Sequence, residues 1–112
     1  MSAQSFLAIF GLAFEVTDPK EIEDLEVRRD ARIVAARRAR LSFYWGNFGL
    51  DGVDRFRLFI GARLGVFGEE NLAELSVTDE DLAATIANTQ ARLAEAGLHG
   101  EPALHLAWQP DV

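Results

Sequence analysis

The sequence predicts an α+β domain with the ferredoxin-like split βαβ order, β-α-β-β-α-β. Two helices would cover one face of a four-stranded antiparallel sheet. Three observations carry this. Phe56, Leu58, Ile60, Ala62, Leu64 and Val66 alternate with Arg55, Arg57, Phe59 and Arg63, the period of a half-buried strand. The run Arg38–Trp45 repeats the pattern, with Ala39, Leu41, Phe43 and Trp45 on one side and Arg38, Arg40, Ser42 and Tyr44 on the other. Two amphipathic helical stretches, each opened by a capping residue, fall before and after this hairpin.

The first strand is expected over Phe6–Val16. Phe6, Ala8, Phe10, Leu12 and Phe14 alternate with Leu7, Ile9, Gly11 and Ala13, so both faces are apolar. Such a strand belongs inside a sheet covered on both faces. Gly11 marks either a bulge or close backbone approach, or room for a ligand.

Asp18-Pro19-Lys20-Glu21 opens a helix: Asp18 caps it, Pro19 suits its first position, and Glu21 completes a capping box. Ile22, Leu25, Ile33 and Ala36 form the buried stripe, interrupted by Arg29 and widened by Val27, Ala31 and Val34. The helix should run as one piece to Arg37, where the period changes to two. Its acidic start and basic end complement the helix dipole, which explains much of the charge from Arg28 to Arg37.

Gly46–Gly52 is dense in turn formers and too long for a tight turn, so Phe48 or Leu50 should fold back over it. Gly65–Val77 connects the hairpin to the second helix, with Leu72, Leu75 and Val77 as its anchors. A strand hidden in Glu69–Val77 would instead give a cystatin-like or other α+β layout. Thr78 caps the second helix, Leu82, Ile86, Thr89, Leu93 and Ala96 face the core, and Gly97 ends it with Leu98 folding back. Leu104, Leu106 and Trp108 alternate with His105, Ala107 and Gln109 in a last strand.

At 112 residues the chain is expected to be one domain, residues 1–112, with 49% apolar and 26% charged residues. It has no cysteine, so disulfides and thiolate metal sites are excluded. The apolar N-terminal run lacks a basic leader and is shorter than the ~20 residues that span a bilayer, so a cytoplasmic location without membrane contact is expected. The net charge of −7 is uneven. The segment Arg28–Arg63 carries nine of the ten arginines and a net +6, leaving −13 elsewhere.

If helices cover Leu58, Ile60, Leu104, Leu106 and Trp108, the opposite sheet face holds the candidate site. Arg38, Arg40, Tyr44, Arg55, Arg57, Arg63 and His105 would bind an anionic small molecule or an acidic protein partner there, because guanidinium groups from neighbouring strands fork-bind carboxylate or phosphate. Leu7, Ile9, Phe59 and Gln109 would form an apolar interface centre for self-association. Two stacked arginine faces repel unless Glu15 or an anion compensates.

Nucleic acid is not an expected partner: the first strand offers Leu7 and Ile9 where an RNA-binding sheet stacks bases on aromatic rings, and the chain is acidic. Two histidines without a spaced carboxylate make no metal site, no phosphate loop or nucleophile elbow occurs, and no cofactor or catalytic residue is assigned. The reading favoured is a non-catalytic oligomeric module. The alternative is a small cofactor-free dimeric α+β-barrel enzyme for an apolar or aromatic compound, its pocket lined by Tyr44, Trp45, Asn47 and His105.

Overall fold

The computed structural model describes residues 5–68 and 73–109. Its elements are β1 (Ser5–Val16), α1 (Pro19–Glu26), α2 (Ala31–Arg38), β2 (Ser42–Asn47), β3 (Phe56–Gly68), α3 (Asp79–Glu95) and β4 (Ala103–Gln109). The four strands form one antiparallel sheet in the order β2-β3-β1-β4, so β1 and β3 are interior and β2 and β4 are edges. The class is α+β. Leu72 and the Glu69–Glu70 pair lie outside the described residues.

The expected first helix is two helices. Asp18 caps α1 by accepting from the Lys20 N–H at 2.9 Å, and Glu21 bonds Arg32 rather than closing a capping box. At Arg28 the backbone turns left-handed (φ 59°), and the Arg29 N–H bonds the Asp24 carbonyl at 2.7 Å. Asp30 then caps α2, accepting from the Arg32 N–H at 2.9 Å. The physical reason is Arg29, which a continuous helix would have placed in the buried stripe; the break leaves it exposed. Val27 and Val34 also face outward, whereas Leu25, Ile33 and Ala36 are buried.

A second correction concerns Arg38 and Arg40, which are not on a strand. Arg38 is the last residue of α2, and Arg40 sits in the left-handed region (φ 60°) of its terminal turn. There the Arg40 N–H bonds Arg37 O at 3.2 Å and the Leu41 N–H bonds Ala36 O at 2.8 Å. Ala39 and Leu41 are buried at a helix exit, which reads like strand alternation.

One core lies between sheet and helices, with Leu12, Leu25, Ile33, Leu58, Ile60 and Leu93 at its centre. Thr78 caps α3 by accepting from the Asp81 N–H at 3.1 Å, and Gly97 (φ 72°) ends it while Leu98 packs back on the core. Leu75 and Val77 do not anchor the preceding connection; they are exposed.

A second cluster, Leu7, Ile9, Phe48, Phe59 and Ala107, occupies the sheet face without helices. It exists because the sheet folds over on itself. Tyr44 is level with Ala13 through Phe59, and Gln109 pairs with Ser5. At the usual rise Ser5 and Ala13 are roughly 26 Å apart along β1. Yet the Tyr44 hydroxyl donates to the Gln109 side-chain oxygen. Only a sharp bend brings these residues together.

Gly11 pairs with Gly61 on the inner face of the folded sheet, where the two backbones approach most closely among the paired glycines. A side chain at Gly11 would lie 2.0 Å from Ile60 O, and one at Gly61 2.0 Å from Phe10 O, so no methyl group fits there. The β1–β3 register also shifts between Ala8 and Ile9, which pair with Gly65 and Arg63. This bulge adds twist and moves Val66 from the helix side to the second cluster, reversing its expected face.

Candidate functional site

The hairpin end positions the first arginines. Asn47 orders the loop: its side-chain oxygen accepts from the Gly49 and Arg55 N–H groups at 2.9 Å, and its amide donates to Asp54 at 2.9 Å. Phe48 therefore folds back, edge-on to Phe59 at 5.3 Å, while Leu50 stays exposed.

Glu15 lies directly across from Arg57 on the β1–β3 ladder. Arg55 Nε donates to its carboxylate at 2.8 Å and Arg57 Nε at 3.0 Å. The Arg55 bonds, with Arg57 beside them, hold the Glu15 carboxyl below the usual range. Arg57 also stacks 4.7 Å over the Phe59 ring. Arg63 donates to the Phe43 carbonyl at 3.2 Å and lies 5.2 Å over the Tyr44 ring.

The remaining candidates are similarly engaged. His105 Nε2 donates to Gly11 O at 3.1 Å, its ring 5.5 Å from Phe59. Tyr44 and Gln109 hold each other across the folded sheet. The concave face thus brings together Tyr44, Arg57, Arg63, His105 and Gln109, but the arginines spend their charge on Glu15, a carbonyl and aromatic faces. Arg38 and Arg40 lie apart, at the end of α2.

The interface candidates Leu7, Ile9 and Phe59 are 1%, 0% and 0% exposed. They form the inside of the fold and offer no apolar surface. The exposed apolar surface is on the other side of β4. Leu104 is 51% exposed, Leu106 69% and Phe6 45%, with the Phe6 ring 4.6 Å from that of Trp108. The helices do not reach these residues, contrary to the expected cover over Leu104, Leu106 and Trp108. Alternation puts them on one face, but nothing local in the sequence reports how far the helices extend.

Among the described residues no three His, Asp or Glu side chains come together as metal ligands, and no helix is long and apolar enough to cross a membrane. Compared with known proteins, the chain matches no family model, no curated protein and no solved structure.

Proposed function

We propose that the chain is an oligomeric α+β module of ferredoxin-like arrangement that associates with a second copy along β4. The observation that carries this reading is the exposed strip of Leu104, Leu106 and Phe6, with the half-buried Trp108 beside it, at a sheet edge.

Edge strands of monomers are ordinarily protected by charge, proline or bulges. The segment Ala103–Gln109 has none of these. At the opposite edge, the Phe43 carbonyl of β2 is already taken by Arg63. Antiparallel pairing of two β4 strands about Leu106 sets Leu106 beside its own copy and Leu104 opposite Trp108. All of these lie on one face, and His105 falls opposite Ala107 on the other. Such an isologous contact is self-complementary and brings no charges together, although each chain carries −7. The concave Arg57–Phe59 face plays no part in this contact, because it is occupied by the fold's own side chains.

Sedimentation of wild type and Leu106→Lys tests the reading. Wild type should be a dimer and the variant a folded monomer, since residue 106 is exposed, with the wild-type melting temperature rising with protein concentration and that of the variant not. A wild type that stays monomeric across concentrations, or a dimeric variant, would overturn it.

A further inference from the structure

We infer that the cleft between the α2–β2 connection and α3 binds a phosphate monoester group. This site is separate from the β4 contact and uses other residues.

Two adjoining cavities of about 220 and 230 Å³ share Arg40 and Arg92 in their walls. Arg38 and Glu95 complete one, and Ser42, Thr85 and Asn88 line the other. That space suits a compact ligand, since drug-sized molecules take pockets of roughly 300–1,000 Å³.

Charge is the first argument. Four arginines line the two cavities, Arg38, Arg40, Arg63 and Arg92, against one carboxylate, Glu95; Arg63 is already engaged with the Phe43 carbonyl and the Tyr44 ring, which leaves three. Arg32, Arg55 and Arg57 have carboxylate partners within 4.0 Å, but among the described residues Arg38, Arg40 and Arg92 have none. Arg92 Nη1 donates to Arg40 O at 3.0 Å, which ties α3 to the connection and leaves the other N–H groups of Arg92 available.

The backbone at Arg40 is the second. It occupies the left-handed position that ends a helix, where glycine is favoured and where α3 uses Gly97. A side chain there costs stability, and such strain collects at functional positions. Arg28 closes α1 in the same way, so strain alone does not single out Arg40; its place in the cleft does.

The face of α3 is the third. Thr85, Asn88, Thr89 and Arg92 recur at helical spacing, and Thr89 is 3% exposed. A helix packed on a sheet would ordinarily bury apolar residues here. Hydroxyl and amide donors beside guanidinium forks suit the three terminal oxygens of a phosphate monoester better than a carboxylate, which one fork saturates. The end of α2 does not oppose an anion strongly, because the Ala35, Ala36 and Arg37 carbonyls already accept from Ala39, Leu41 and Arg40.

The test is calorimetric titration with O-phosphoserine at fixed ionic strength, with succinate as the carboxylate arm, on wild type, Arg40→Gly and Arg92→Gln. Wild type should bind phosphoserine saturably and at least tenfold more tightly than succinate, and both variants should lose at least tenfold in affinity. Arg40→Gly should meanwhile melt higher than wild type, because glycine relieves the left-handed backbone. Misfolding cannot explain a loss of binding in a more stable protein. Leu106→Lys should bind phosphoserine as wild type does, which separates this site from self-association. Absence of saturable binding, a preference for succinate, or undiminished binding by Arg40→Gly would overturn the assignment.

Discussion

Gly11→Ala tests whether the sheet's bend is built on the absence of side chains. In an ordinary strand this substitution stabilises by about 0.4–1 kcal/mol, because alanine restricts the unfolded chain. Here the new methyl would sit 2.0 Å from Ile60 O and 2.7 Å from Gly61 Cα, against an ordinary contact of at least 3.4 Å. The obstacles are backbone atoms of the neighbouring strand, so no rotamer change relieves them. The protein can hold the corner and absorb strain, or open the corner and expose the second cluster. Absorbing strain costs ~3 kcal/mol, the upper end for overpacking. Opening it exposes Leu7, Ile9 and Phe59 at ~1.5–3 kcal/mol each, roughly 5–9 kcal/mol together. The cheaper response is strain.

Three kilocalories per mole is a large part of the ~6–17 kcal/mol expected of a domain this size. With an unfolding entropy of about 2.1 cal/mol/K per residue, the melting temperature should fall by roughly 13 °C. Calorimetry and urea unfolding measure both quantities, and an unchanged m-value would show that the bend is kept. Gly61→Ala should behave alike, since its methyl meets Phe10 O at 2.0 Å. The double variant should lose less than the sum, because strands moved apart for one methyl admit the other. A Gly11→Ala protein as stable as wild type, or more so, would refute the close-approach argument.

Other perturbations probe the same structure. Phe48→Ala removes the ring packed edge-on against Phe59 and should cost ~3–5 kcal/mol by denaturant unfolding, whereas Leu50→Ala, at an exposed position, should change stability by less than ~0.5 kcal/mol. Tyr44→Phe deletes the donor to Gln109 and should cost about 1 kcal/mol in the same assay. The Arg32 guanidinium holds the Asp30 carboxyl below its usual range. Its contribution is therefore complete above the unfolded value of about 3.9 and is lost as pH falls through the lower folded value. Melting temperatures of wild type and Asp30→Asn between pH 7 and 2 should converge at the acid end; a constant gap would contradict the pairing.

Local chemistry made several elements legible. Asp18, Thr78 and Gly97 mark helix ends whatever surrounds them, and the two-sided apolarity of β1 reflects an interior strand. The bend was not legible, because Gly11 and Gly61 matter only as a pair, and their pairing depends on register between distant strands. Val66 was misplaced for a related reason: one bulge reverses every later residue of β3. Arg38 and Arg40 were misread because a helix exit with Ala39 and Leu41 buried imitates alternation. Their cleft also needed Arg92, which local sequence patterns cannot bring near Arg40.

The lengths of the elements explain why the apolar surface falls at β4. The twelve residues of β1 run about 40 Å along the bent strand at ~3.3 Å per residue, while α1 and α2, eight residues each, extend only about 12 Å at ~1.5 Å per residue. Their buried side chains meet Leu12, Val16, Leu58 and Ile60, toward one end of the sheet. α3 is longer, but its buried residues, Thr89 and Leu93, both lie in its second half. The helices leave Phe6, Leu104 and Leu106 exposed at the end where Phe6 pairs with Trp108, although Ala8 and Phe10 farther along the same face are buried. The bend cannot cover it either, because it turns the other face inward. A charged partner surface would pay desolvation there without finding an opposite charge along Ala103–Gln109. An uncharged strand of the same pattern would not, and a second copy supplies one.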